Sequence, residues 1–390
     1  MVSPKGYKQT EIGMIPEDWA VVKAKQLMRI ETGSRNTEHK TNYGQYPFFV
    51  RSQQIEHIDT YHYNCEAVLT AGDGVGTGKV FHYYNGKFDA HQRVYIMFQF
   101  SDIDAKYFYF YFRAKFGAEV SKYTAKSSVD SVRRDMIAEM LIPLPSLREQ
   151  QHIANALSDV DHLISSLEKL ITKKKTIKQG AMQELLTGKK RLPGFVGKWE
   201  EHFLVDRVKT SSGGTPSRAI ESYYKGNIPW VTTSELNDRV IYGTTECITE
   251  KAIANSSTKI FPRDTVLVAM YGATIGKLAI LGKPMATNQA CCALISNENK
   301  MDYRYLFFLL QFMRDELISL GCGAGQPNIS QKIIQKLAIY IPITEEQQAI
   351  AQVLSDMDTE IQKLEQKLEK YRQVKQGMMQ QLLTGKIRLV

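Results

Sequence analysis

Two glycine-rich segments come nearest to a chemical motif. GDGVGTGKV at 72–80 and GATIGKL at 272–278 both run glycines into a Gly-Lys pair, the composition of a phosphate-binding loop. A working loop needs a fixed Gly-to-Gly-Lys spacing and a Ser or Thr after the lysine to hold magnesium. Here the spacing is wrong, and Val80 and Leu278 follow the lysines, so tight inter-strand turns are the better reading. GAGQPN at 323–328 is also glycine-rich, but it follows a helix-like segment instead of the strand a dinucleotide site requires. No His or carboxylate cluster has metal-ligand spacing. No Asn-Pro-Pro-Tyr-type motif of an amino-methyltransferase is present, and no acidic set beside a lysine suggests a nuclease. The five cysteines, Cys65, Cys247, Cys291, Cys292 and Cys322, are odd in number and form no C-x-x-C, which favours buried thiols in a reducing cytoplasm. These residues predict no catalytic centre, no metal and no cofactor.

What remains is binding. The 50 Lys and Arg against 41 Asp and Glu leave a formal charge of +9, which favours an anionic partner because cations on phosphates release condensed counterions. No apolar run approaches the ~20 residues that cross a bilayer, so no membrane is expected. A chain of 390 residues has room for two to three domains.

The elements that position any binding residues are set by a repeat. Residues 148–192 align with 345–389 at a constant offset of 197, without a gap, and 25 of the 45 positions are identical. Apolar residues in both copies alternate steps of three and four, the a/d pattern of one long helix packed on another. Leu157, Val160, Ile164, Leu167 and Ile171 form the first seam; Leu354, Met357, Ile361, Leu364 and Leu368 form the second. Lys174 interrupts the first where Tyr371 continues the second, and the pattern resumes at Ile177, Ala181 and Leu185, matched by Val374, Met378 and Leu382. Thr187-Gly188-Lys189 and Thr384-Gly385-Lys386 read as helix stops with Gly in the left-handed position. Gly180 and Gly377 inside the pattern mark a weak point or a close helix contact. About 39 residues at ~1.5 Å each make a rod near 58 Å.

The segments before each helix repeat more weakly. Gly74 and Gly78-Lys79-Val80 match Gly272 and Gly276-Lys277-Leu278, and His91-Gln92 matches Asn288-Gln289. Strands are predicted at 46–50, 66–71, 93–98 and 140–144, and at 228–232, 265–270, 290–295 and 337–342, with helices over 104–116 and 302–320. The expected fold is α+β: two similar mixed α/β domains separated by two long helices in an antiparallel coiled coil, pseudo-two-fold and circularly closed. The expected boundaries are 1–145 and 191–342 for the domains, 146–190 and 343–390 for the helices.

The blocks QQ-x-I-A-x-x-L-S-D-x-D and K-Q-G-x-M-Q-x-L-L-T-G-K, each present twice, resemble the helical regions of type I restriction–modification specificity subunits. GGTPS (213–217), NIPWVTTSEL (227–236) and TNQACCALI (287–295) are similar to that family's target-recognition domains. The first domain departs further, with ETGSRNT in place of GGTPS and DAHQRV in place of ATNQAC. The resemblance covers the whole chain. It implies a cytoplasmic, non-catalytic subunit that reads a bipartite double-stranded DNA target, one half per domain, and sets the spacer with its helices. It also implies partnership with two methyltransferase subunits and with restriction/translocase subunits, to which S-adenosylmethionine, ATP and magnesium would belong.

Base edges are read by Arg, Lys, Asn, Gln, Ser and Thr, while phosphate contacts position the protein. In the first domain the candidate loops carry Ser34, Arg35, Asn36, His39, Lys40, Arg51, Ser52, Gln53, Thr77, Lys79, His91, Gln92 and Arg93, with Lys122, Tyr123, Lys126 and Ser127. In the second they carry Ser211, Ser212, Thr215, Ser217, Arg218, Thr232, Thr233, Ser234, Tyr271, Thr274, Lys277, Asn288, Gln289, Gln326 and Asn328. Gln92 and Gln289 recur in both domains, which suits a structural bond to backbone. Lys173-Lys174-Lys175 with Lys178 reads equally as a solvated helix face or a phosphate contact. Two other classes stay open: a self-sufficient methyltransferase, and a coiled-coil protein with no DNA role.

Overall fold

The structure is a computed structural model and describes residues 6–124, 131–297, 299–321 and 328–390. The chain forms two compact units, Met1–Glu168 with Gln366–Val390, and Lys169–Glu365.

In the first unit six strands form one sheet, in the order Arg29–Thr32, Val94–Phe98, Tyr63–Ala71, Phe81–Ala90, Tyr46–Phe49 and Glu56–Ile58. Successive strand residues face opposite sides. Val68, Phe81 and Met97 therefore meet the helix Ala105–Thr124, while Leu69, Phe88 and Ile96 face a second apolar cluster with Phe49 and Tyr63. The aromatic run of that helix is core: Tyr107, Phe108 and Phe112 are fully buried, and the Tyr107 hydroxyl donates to the Pro143 carbonyl at 2.9 Å.

The second unit repeats this plan with its sheet divided. Five strands run in the order Val208–Ser212, Cys291–Ser296, Val266–Ala269, Leu278–Leu281, Arg239–Ile241; four others, Cys247–Ile248, Ile228–Val231, Met285–Thr287 and Ile260–Phe261, pair with one another in a second sheet. Val268, Leu278 and Leu294 meet the helix Tyr303–Phe312, and Leu267, Ala279 and Ala293 face the other side. The expected helix over 302–320 is two pieces, ending at Phe312 and restarting at Arg314–Leu320. Cys291 and Cys292 are buried strand residues, and burial pushes the Cys292 thiol up to about 12.

The long helices are Leu147–Leu185 and Thr344–Leu382, each of 39 residues. Gly188 and Gly385 follow them at φ 68° and 69°, and the amides of Lys190 and Ile387 return to the carbonyls of Glu184 and Gln381. A Cβ on Gly385 would lie 2.5 Å from the Pro16 ring, so glycine is required there for room as well as for handedness. A Cβ at Gly180 or Gly377 would meet nothing within 4 Å, which favours the weak point over the close helix contact as the reading of these two glycines.

Each unit contains a length of both long helices, paired antiparallel. In the first, Asp161 meets Lys375 at 2.5 Å and Glu168 meets Arg372 at 2.7 Å. In the second, Lys178 meets Asp358 at 2.6 Å, Lys174 meets Glu360 at 2.7 Å and Lys175 meets Glu365 at 2.7 Å. Of the seam positions, Leu157, Leu167, Ile171, Leu354, Ile361 and Leu368 are buried, and Val160, Ile164, Met357 and Leu364 are half-buried. The seam does not resume at Ile177 and Val374, which are exposed. A straight helix drifts away from a seven-residue repeat, and the inward position passes to Lys178 and Lys375. Their ammonium groups lie 5.0 and 5.5 Å from the ring centres of Phe308 and Phe110.

The chain's end closes on its beginning within the first unit. The Tyr7 hydroxyl donates to the Gly385 carbonyl at 3.0 Å, and Arg388 grips both Asp18 and the buried Glu149. Arg191 holds the buried Glu346 in the second unit in the same way.

One buried histidine makes the first unit acid-sensitive. His82 is 7% exposed with its Nε2 3.2 Å from the Ser52 carbonyl, and burial pulls its pKa below the ordinary 6.5. The unfolded chain then binds more protons than the native one below that value, so stability is full above about pH 6.5 and declines as pH falls. Thermal melting between about pH 8 and pH 5 should show this decline, flattened in His82→Asn. An unchanged slope in the variant would rule His82 out as its source.

Candidate nucleic-acid interface

At one end of each sheet the loops carrying the candidate residues converge on a shared backbone frame. In the first unit the amides of His91, Gly72 and Val132 donate to the carbonyls of Phe49, Arg93 and Gly72 at 2.9, 2.8 and 2.7 Å. In the second, those of Asn288, Met270 and Ile329 donate to Val231, Ala290 and Met270 at 2.9, 2.9 and 2.7 Å. The bridge Asp73–Ser131 has its counterpart in Tyr271–Asn328. A Cβ on Gly33 would strike the Ala90 carbonyl at 2.1 Å and one on Gly213 the Thr287 carbonyl at 2.1 Å, so both glycines let a loop cross directly over the neighbouring strand. These backbone bonds correspond one for one, which makes Arg51 the counterpart of Thr233, Asp73 of Tyr271, and Arg93 of Ala290.

Several candidates are engaged in building this frame. His91 is buried, and its Nδ1 accepts the Arg93 amide at 3.0 Å; Asn288 Oδ1 accepts the Ala290 amide at 3.1 Å in the same role. Burial, with Arg51 and Arg93 nearby, lowers the His91 pKa. Thr77 is buried. Arg35 pairs with the buried Asp89 at 2.9 Å. Asn36 and His39 cap a turn, and Lys40 reaches Glu56 at 3.5 Å. The Ser52 hydroxyl donates to the Gln54 carbonyl. Ser212 bonds Gln331, Ser211 accepts from Lys259, and Thr232 bonds Ser234 beside the Glu235 cap.

Arg218 grips Glu246 through two bonds of 2.5 and 2.9 Å and lies 4.2 Å from the Tyr224 ring centre. That pair raises the Arg218 pKa and holds the Glu246 carboxyl below its usual range. Gln289 bonds the Thr215 hydroxyl, not backbone, and Gln92 is exposed, so the two recurring glutamines do not share the structural bond expected of them.

Other candidates face solvent. Among the described residues, Ser34, Gln53, Lys79, Gln92, Ser217 and Lys277 are exposed at the loop ends without a side-chain partner. Thr233, Tyr271 and Thr274 are half-buried beside them. Lys122 and Tyr123 fall in the last turn of the helix Ala105–Thr124; Lys126, Ser127 and Gln326 lie outside the described residues. Of the lysine run, Lys174, Lys175 and Lys178 are occupied by Glu360, Glu365 and Asp358, which disfavours the phosphate reading for them.

Sequence reasoning missed Asp73. Its Oδ1 accepts from Arg51 Nη1 at 2.9 Å and its Oδ2 from Arg93 Nη1 at 2.7 Å. Burial alone would raise this carboxyl, but the two guanidiniums outweigh it and hold its pKa below the usual range. The signal available was an acidic residue inside the glycine-rich turn 72–78, read there as turn chemistry only.

The chain matches the description "Type I restriction modification DNA specificity domain" twice, over residues 16–179 and 197–371. It is 27% identical to the putative type I restriction enzyme MjaX specificity subunit of Methanocaldococcus jannaschii, across 99% of this chain and 97% of that one. The MjaVIII specificity subunit of the same organism is 25% identical over 99% and 96%. In fold it resembles the crystal structure of a type I restriction–modification S subunit from M. genitalium, with a TM-score of 0.69 at 16% identity, covering 93% of this chain and 96% of that one. Two matched segments that together span most of the chain place it in the family of type I restriction–modification DNA specificity subunits, with two recognition domains.

Proposed function

We propose that this chain is the non-catalytic reader of a bipartite double-stranded DNA target. Residues 1–145 read one half and residues 191–342 the other; the helices over 146–190 and 343–390 set the unread spacer and dock two methyltransferase subunits. Restriction/translocase subunits complete the cutting form, and S-adenosylmethionine, ATP and magnesium belong to these partners, in the cytoplasm.

One observation carries the reading: a single backbone frame is presented twice, with different polar side chains at equivalent places. Two readers that share a scaffold and differ in their contacts are what a two-part target needs. The net charge of +9 supplies the sequence-independent attraction to phosphate. No helix among the described residues is long and apolar enough to cross a membrane.

Exchanging residues 195–340 for the second domain of another family member should change one half of the methylated motif and leave the other half intact. Long-read mapping of methylated bases in the native cell reads this directly. A change in both halves would overturn the independent readers. Binding of S-adenosylmethionine by the isolated chain would instead favour a self-sufficient methyltransferase.

A further inference from the structure

We infer that Arg51 and Arg93, braced by Asp73, form an arginine fork that recognises a guanine in the half-site read by the first recognition domain; this rests on the DNA reading proposed above. Each guanidinium donates one Nη to a different oxygen of Asp73, and among the described residues its other Nη and its Nε have no partner. The carboxylate is 16% exposed, the two arginines 48% and 60%. The anchor is thus sheltered while the remaining donors face outward. A guanine edge offers O6 and N7 as paired acceptors, the match for a guanidinium's paired donors. Holding two long side chains in place beforehand removes rotamer freedom that would otherwise be lost on binding.

The glycine-rich turn that fails as a phosphate loop explains how Asp73 comes to lie between the arginines. A Cβ on Gly72 would sit 2.9 Å from the Arg93 carbonyl oxygen, and one on Gly76 2.5 Å from that of Arg51. Both glycines therefore let this turn press against the two arginine backbones, and the Gly72 amide donates to Arg93 at 2.8 Å. Gly74, at φ 76°, makes the reversal after Asp73.

Two facts favour a base over a phosphate as the ligand. The equivalent places in the second domain hold Thr233, Tyr271 and Ala290, so the cluster belongs to what distinguishes the readers, whereas a phosphate anchor serves both alike. The Asp73 charge also weakens the pull on a phosphate while leaving the hydrogen-bonding fork intact.

The test uses the complete complex in its native cell. Methylated motifs are mapped for the wild type, Asp73→Asn, Arg51→Lys and Arg93→Lys, and binding is followed by gel shift on duplexes carrying each base pair along that half-site. Thermal melting reports folding. The half-site belonging to the first domain is the one left intact by the exchange of residues 195–340. The expected result is a loss of preference for guanine at one position of that half, by about 5- to 140-fold, with the spacer and the other half unchanged. Arg51→Lys and Arg93→Lys keep a cation for Asp73 but lose the fork, so they decide the matter should Asp73→Asn fail to fold.

A uniform loss across all duplexes with a shallower salt dependence would mean phosphate contact and overturn the inference. So would an unchanged motif, or a wild-type half-site without a G·C pair. A wild-type motif that is not bipartite would instead overturn the reading beneath it.

Discussion

Lengthening both long helices by four residues, after Glu168 and after Glu365, should move the protein to targets whose spacer is one to two base pairs longer, with both half-sites unchanged. Four residues add about 6 Å and just over one helical turn, against about 3.4 Å per base pair, so helix faces are nearly restored while the rod grows. The insertion points follow from the units, which divide both helices at those residues. Five ion pairs between the helices each lie within one unit: Asp161 with Lys375 and Glu168 with Arg372, then Lys174, Lys175 and Lys178 with Glu360, Glu365 and Asp358. None is separated by this pair of insertions. Inserting after Leu163 and Ile361 instead would part Glu168 from Arg372 and Glu365 from both Lys175 and Arg239, a useful contrast because it disturbs the pairing without adding more length. Mapping the methylated motif of each variant is the measurement. A lengthened protein that still methylates the original spacing would show that the helices do not measure it.

Replacing Arg388 with alanine should destabilise the first unit by about 3–5 kcal/mol, because it strands a buried charge. Glu149 is 1% exposed, and Arg388 meets both its oxygens, at 2.6 and 2.8 Å, while also holding Asp18 at 2.7 Å. The Trp19 indole donates to the same carboxylate at 3.2 Å, too little to replace a cation. These carboxylates raise the Arg388 pKa, so its guanidinium stays charged at any ordinary pH. Arg388 comes from the second long repeat and Glu149 from the first. The same variant therefore loosens the attachment of residues 366–390 to the domain that begins the chain. Chemical denaturation of the variant gives the number. Arg388→Ala with Glu149→Gln should recover much of the loss, since a neutral amide does not need the cation. A loss below about 1 kcal/mol for the single variant would mean that Glu149 finds solvent or another partner when alone.

Residues of the sequence alone determined the elements and their repetition. Heptad spacing and the Thr-Gly-Lys stops delimited both long helices, because a helix of that length announces itself through many local positions at once. Short apolar runs located strands such as Val94–Phe98 and Val266–Ala269 for the same reason. The constant offset of 197 showed that one unit is used twice. Tertiary structure decided which polar residues are available. His91, Asn288, Arg35 and Arg218 have side chains suited to base edges, yet each is drawn into the frame by a partner distant in sequence or by a turn amide. Asp73 gained its place between Arg51 and Arg93 only when three separate loops met. A pattern along the chain records which face is buried, since burial acts on many residues in sequence. A hydrogen bond between single side chains depends on two positions that only folding brings within 3 Å of each other, and no local periodicity carries it.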